Sequence, residues 1–153
     1  MKIYPERIPA EGLKLEGEEA AEVLALEDGL ARFGQPLHYD LLAVIVSSGV
    51  LVRGRLWTTA TLDCGRCLKK FALKLAVNDF LFEEEVGNKQ VFDLTENLRE
   101  DILLRLPQRA LCSPTCKGLC FQCGQNLNAK KCKCKYKPHS VRSQWDALSK
   151  LKL

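Results

Sequence analysis

A chain of 153 residues, 46% hydrophobic and 27% charged, is long enough for one domain with a real core plus a small appendage, and it excludes wholesale disorder. The longest near-continuous apolar run, Leu41 to Val46, is far short of the ~20 residues a membrane-spanning helix needs, so no membrane partner is expected. The net charge of +4 hides a division: Pro107 to Leu153 holds ten Lys and Arg against one acid, Asp146, for a formal +9, while residues 1–106 carry −5.

The first residues, Met1-Lys2-Ile3-Tyr4-Pro5-Glu6-Arg7, form no apolar h-region, and a cytoplasmic protein without a secretory leader is expected. Through residue 30 isolated apolar residues stand among acids, which fits short strands or irregular structure. Residues 37–47 read as a strand buried on both faces, followed by a turn at Ser48-Gly49. The next segment alternates, with Val50, Val52 and Leu56 on one face and Arg53, Arg55 and Thr59 on the other. Gly54 marks a bulge in it. Alternation returns after Cys67, where Phe71, Leu73, Leu75 and Val77 oppose Lys70, Lys74 and Asn78. A helix is expected over 93–106, capped by Asp93 with Glu96 and carrying the stripe Leu94, Leu98, Ile102, Leu106 until Pro107 stops it. A second short helix is expected from about Val141 to Leu151, with Val141, Trp145 and Leu148 on one face. The fold class is therefore α+β. An antiparallel β-rich body with its docked amphipathic helix spans 1–106, a cysteine-rich zinc module 107–137 and a basic tail 138–153.

All eight cysteines fall in two places. In a reducing compartment, cysteine pairs at this spacing are metal ligands or redox centres rather than structural disulfides. Cys120-Phe121-Gln122-Cys123-Gly124 is the strongest element, because a C-x2-C turn can grip one ion with two thiolates and the glycine lets the backbone turn sharply. Six cysteines, Cys112, Cys116, Cys120, Cys123, Cys132 and Cys134, lie in a segment with few apolar residues, and Zn2+ is the most economical source of order there. Cys120 and Cys123 are taken as ligands. Spacing does not choose among the other four: only three residues bridge Cys116 to Cys120, and Cys132-Lys133-Cys134 is a tight x1 pair. A small two-metal cluster held by all six is a further alternative. Cys64-Gly65-Arg66-Cys67 sits between two strands and is read first as a pair of small buried thiols shaping a turn. The alternatives are half of a second metal site completed by two C-terminal cysteines, and a redox pair.

These residues carry a resemblance. Asp63-Cys64-Gly65-Arg66-Cys67-Leu68-Lys69-Lys70-Phe71 resembles the C-x-R-C-L-x-x-F signature of the YceD family, named for large ribosomal RNA subunit accumulation. Leu111 to Asn128, followed by Cys132-x-Cys134, is similar to its zinc-binding branch, although Phe121 stands where the family usually has proline. The resemblance implies support of 23S ribosomal RNA accumulation and of large ribosomal subunit assembly, with ribosomal RNA, an assembly intermediate or another assembly factor as partner.

Lys117, Lys130, Lys131, Lys133, Lys135 and Lys137 offer phosphate contacts, and Phe121 and Tyr136 can stack on unpaired bases, so these are the candidate RNA-binding residues. The alternative function is a zinc-stabilised protein–protein adaptor without RNA contact, docking through Trp145. Catalysis is not expected. The sequence has two histidines, no H-E-x-x-H, no P-loop and no G-x-G-x-x-G, and a four-cysteine zinc site is closed to substrate.

Overall fold

The computed structural model describes residues 1–26, 31–47, 49–87 and 90–134. The expected second helix, the basic tail, Lys135, Tyr136, Lys137 and Trp145 lie outside the described residues. The chain divides into two compact units, Met1–Cys116 and Lys117–Leu153.

Among its described residues the first unit is β-rich with one α-helix. Its strands in chain order are β1 (Lys2–Ile3), β2 (Leu13–Glu19), β3 (Ala31–Phe33), β4 (Leu37–Val46), β5 (Gly49–Asp63), β6 (Lys70–Glu85) and β7 (Phe92–Asp93), followed by helix α1 (Thr95–Leu104). All pairings are antiparallel. β5 organises the main sheet: β6 runs along one edge from Gly49↔Glu85 to Asp63↔Lys70, while β4 and β3 divide the other edge. β2 pairs with the far side of β4, and β1 with β7 forms a separate two-stranded ribbon.

The period-2 pattern of β5 determines which face is buried. Val50, Val52, Leu56, Ala60 and Leu62 are buried against Leu75, Val77 and Phe80 of β6, while Arg53, Arg55 and Trp57 look outward. α1 covers the inner face through Leu94, Leu98 and Ile102, all fully buried, with Leu106 half-buried behind them. Each such aliphatic side chain contributes roughly 1.5–3 kcal/mol by burial.

The structure departs from the sequence expectation at β4 and at the helix. The apolar run of β4 is not buried on both faces. Leu37, Leu41 and Ala43 are buried, whereas His38, Asp40, Leu42 and Val44 on the outer face are half-buried, since α1 covers only the inner face. The helix is also shorter than 93–106. Phe92 and Asp93 are held extended by pairing with Ile3 and Lys2, so the helix starts at Thr95 with Leu94 in the cap position. No capping box forms. Asp93 Oδ1 accepts the Thr95 N–H at 3.0 Å and the Thr95 hydroxyl at 2.5 Å, and these bonds hold its carboxyl below the usual range. At the other end the bonds tighten, with Arg105 N–H to Ile102 O and Leu106 N–H to Leu103 O, as the chain approaches Pro107.

A bulge stands at Gly54, but its extra residue lies in β6 and not in β5, where the glycine led it to be expected. Gly54 pairs with Phe80 and Leu56 with Val77, so two residues of β6, Asn78 and Asp79, stand opposite Arg55, and both are exposed.

Candidate metal centres

The eight cysteines form two sets of four. Cys64, Cys67, Cys112 and Cys116 make one, in the first unit, and Cys120, Cys123, Cys132 and Cys134 the other, in the second; within each set all sulfurs lie within 4.8 Å of one another. Sequence spacing leaves open which cysteines join Cys120 and Cys123, and whether Cys64 and Cys67, read first as buried thiols shaping a turn, complete a second site with two of the later six. The structure sets the sulfurs of Cys112 and Cys116 against the early pair, with Cys64 Sγ 3.8 Å from Cys116 Sγ and Cys67 Sγ 3.6 Å from Cys112 Sγ. In the second set Cys132 Sγ is 3.4 Å from Cys120 Sγ. None of the eight forms a disulfide. A tetrahedron with metal–sulfur arms of about 2.3 Å has edges of about 3.8 Å, so both sets fit a four-coordinate ion.

The first set is built where the β5–β6 hairpin turns over. Cys64 N–H donates to Lys69 O at 2.9 Å and Leu68 N–H to Cys64 O at 2.9 Å, closing a tight loop around the pair. The chain leaving α1 returns to this loop: Gly65 N–H donates to Ala110 O at 2.8 Å, and the Arg66 guanidinium to Cys116 O at 2.9 Å. Gly65 and Arg66 therefore fix where Cys112 and Cys116 arrive, a role that spacing alone did not show.

The second set repeats the same loop. Cys120 N–H donates to Gln125 O and Gly124 N–H to Cys120 O, both at 2.8 Å. A bridge between Leu119 and Asn126, with Leu127 N–H to Gly118 O, makes this a small hairpin. Asn128 Oδ1 accepts the Lys117 N–H at 2.8 Å, and Asn126 Oδ1 accepts from Asn128 N–H, which turns the chain toward Cys132. Among the described residues of this unit only Gly118 and Cys120 are buried, so apolar packing supplies almost no order.

The electrostatics match in the two loops. Backbone N–H groups point at the first sulfur of each C-x2-C pair: those of Cys112 and then Arg66 bring the Cys64 thiol down to about 6, and those of Cys123 and then Gln122 bring Cys120 to about 6. The last thiols to ionise are pushed the other way. Cys112, sharing a hydrogen bond with Cys67, rises to about 12, and Cys134, beside Cys123 and Cys132, also to about 12. Each set thus favours its first thiolate and resists the fourth until a cation offsets the charge.

Of the remaining candidates, Lys117, Phe121, Lys130, Lys131 and Lys133 are exposed on the second unit, Phe121 at 75%. No Asp or Glu occurs between residues 117 and 134. No helix among the described residues is long and apolar enough to cross a membrane.

The sequence profile of the family described as "Large ribosomal RNA subunit accumulation protein YceD" matches residues 52–152, a span that includes all eight cysteines. The chain belongs to the YceD family. An uncharacterized protein of Mycobacterium tuberculosis is 31% identical over 121 residues, covering 69% of this chain and 56% of the relative. A Mycobacterium leprae protein, also uncharacterized, is 28% identical over 119 residues, covering 68% and 55%. The chain thus spans just over half the length of these mycobacterial relatives. A chloroplastic YCED homolog 1 of Zea mays, named as a large ribosomal RNA subunit accumulation protein, is 42% identical over 50 residues, 33% of this chain and 17% of that protein. No solved structure gives a significant match.

Proposed function

We propose that this YceD-family chain is a non-enzymatic factor that holds two structural zinc ions and supports 23S ribosomal RNA accumulation and large-subunit assembly by binding RNA or pre-ribosomal particles. The observation that carries the reading is the sorting of eight cysteines into two four-sulfur sets of tetrahedral size. Cys64, Cys67, Cys112 and Cys116 would hold one ion, and Cys120, Cys123, Cys132 and Cys134 the other. Sulfur-only tetrahedral sets favour Zn2+ or iron among common metals, and zinc supplies a redox-inert cross-link. A set of four protein sulfurs leaves no open coordination position, which supports a structural role over catalysis.

The family's printed description supplies the process. Support for RNA contact comes from the second unit. Lys117, Lys130, Lys131 and Lys133 outweigh the formal −2 of a four-thiolate zinc site, and no carboxylate of residues 117–134 competes with phosphate. Phe121, exposed between the two cysteines of the knuckle, presents a ring on which a base can stack.

Elemental analysis of protein purified under reducing conditions without added metal tests the metal reading. Two zinc ions per chain are expected, falling to one in the Cys64→Ser/Cys67→Ser variant. Iron in place of zinc, or no metal in fully reduced protein, overturns it. Binding to a ribosomal RNA fragment that weakens steeply with salt, and whose salt slope shrinks when Lys130, Lys131 and Lys133 are replaced by alanine, is expected for the RNA reading. Salt-insensitive association with a ribosomal protein alone would favour the adaptor.

A further inference from the structure

The outer face of the main sheet plays no part in the metal centres, yet it carries an aromatic side chain that burial does not explain. Trp57 projects from the middle of β5 and is 42% exposed. Its neighbour across the strand pair is His38, and the two rings stack, with centroids 5.7 Å apart and planes 15° from parallel. Across the other edge its register partner is Ala76, a side chain too small to cover an indole. The result is a slot of about 380 Å3 lined by Trp57, Arg55, Ala76 and Asn78 over the backbone of Leu56. Asn78 reaches this slot because the β6 bulge places it and Asp79 together opposite Arg55.

Beside it a larger groove of about 650 Å3 shares Arg55 and Asn78 in its lining and adds Arg53, Lys14, Asp40 and Asp79. The carboxylates nearby are engaged. Asp40 pairs with Arg55 at 2.6 Å, and Asp79 with Arg105 at 2.7 Å. Glu18 lies 3.6 Å from the His38 imidazole, on the side of Trp57 away from the slot. Arg53 and Lys74 are exposed on the same face, and among the described residues neither forms an ion pair, so they are the cations available to a ligand in the slot.

We propose that this slot receives one unpaired base of single-stranded RNA. The base stacks on Trp57, which His38 already holds flat from its other side; the Asn78 amide meets the base edge, and Arg53 and Lys74 meet the flanking phosphates. An amide offers both donor and acceptor, so it can meet the edge of any base, while stacking is indifferent to sequence. The contact is therefore tolerant of sequence and selective for unpaired RNA. It rests on the RNA-binding reading above and adds to it a second contact, separate from the lysines of the zinc-knuckle unit.

The test uses the full zinc-loaded chain in a Trp145→Phe background, which leaves Trp57 as the single indole, with a labelled twelve-nucleotide oligouridine and the same RNA annealed into a duplex. Quenching of Trp57 fluorescence by the single strand and not by the duplex is expected. Trp57→Ala should weaken binding about tenfold and Trp57→Phe much less. Ala76→Glu, which fills the slot from an exposed position and leaves Trp57 in place, should match the Trp57→Ala loss. Salt-dependent binding that leaves Trp57 unquenched, and is lost only when Lys130, Lys131 and Lys133 are changed, overturns the slot and leaves the RNA reading standing. Absence of RNA binding under any condition overturns both. Quenching by a ribosomal protein with none by RNA assigns the face to protein docking and overturns the slot.

Discussion

Leu68 and Gly124 occupy the same position in two equivalent turns: each donates its N–H to the carbonyl of the first cysteine of its pair, Cys64 or Cys120, and each has positive φ, 58° and 70°. The left-handed conformation is demanded by the turn and not by the residue. It is native to glycine and costs another residue roughly 1–2 kcal/mol. Leu68 recovers little of that by packing, since it is 68% exposed. Leu68→Gly should therefore leave stability within about 1 kcal/mol of the parent, because strain relief offsets the extra freedom of glycine in the unfolded chain. Gly124→Ala should lose about 1 kcal/mol of local stability. Chemical denaturation of the zinc-loaded proteins checks the first, and zinc affinity by competition checks the second. A large loss from Leu68→Gly would show that its side chain matters more than its backbone.

The two turns also show where the sequence is legible. C-x2-C with glycine after it announces the second turn at once. The first has leucine at the corresponding place, so its likeness emerges only from hydrogen bonds. Local patterning was enough for β5, β6 and the α1 stripe because each is decided by neighbours two to four residues apart. The partnership of Cys67 with Cys112 spans 45 residues and depends on the β5–β6 hairpin and on where the chain leaves α1. No local pattern carries that. Counting offered a hint, since eight cysteines with two x2 pairs divide naturally into two sets, each completed by one irregular pair. The Trp57 slot was less legible still, because it needs the bulge that brings Asn78 round to face Arg55.

Metal loading should release protons, and fewer than the eight cysteines would suggest. Cys64 and Cys120, brought to about 6, are thiolates before metal arrives at pH 7.5, so loading both sites should release at most six protons. Because Cys112 and Cys134, pushed to about 12, are protonated in the metal-free chain at that pH, zinc affinity should rise as pH rises and fall as it drops. Calorimetry in buffers of different ionisation enthalpy counts the protons. A count of eight would mean that the backbone N–H groups do not favour the first thiolates.

The two ions should not leave together. Cys64, Cys67 and Cys116 are buried, whereas Cys123 and Cys134 are exposed and Cys132 is half-buried. A chelator should remove zinc in two phases, the fast one from the second set, and Cys123→Ser should abolish only that phase. The first set should matter more to the fold. It closes a loop of 45 residues between Cys67 and Cys112, against 12 between Cys120 and Cys132, and the longer loop is worth about 1 kcal/mol more in chain entropy alone. Circular dichroism during chelation should show most of the structural change in the slow phase. Single-phase release would contradict the unequal burial.

Gly54 has no room for a side chain. A Cβ built there would stand 2.1 Å from the backbone oxygen of Asp40 and 2.8 Å from Leu41 Cα, and its φ of 155° is one that L side chains rarely adopt. Both obstacles are backbone, so no rotamer change relieves them. β4 would have to move away from β5 at the pairing of Leu41 with Gly54, in the middle of the sheet. Gly54→Ala should therefore cost about 2–4 kcal/mol, more than a typical substitution on a half-buried strand. Because Arg55 and Asn78 flank the same bulge, the variant should also disturb the slot beside Trp57 while leaving the second cysteine set intact. Thermal unfolding with zinc counting separates these effects: a lowered midpoint with the second ion retained is expected. An unchanged midpoint would mean that β4 and β5 tolerate separation at this point.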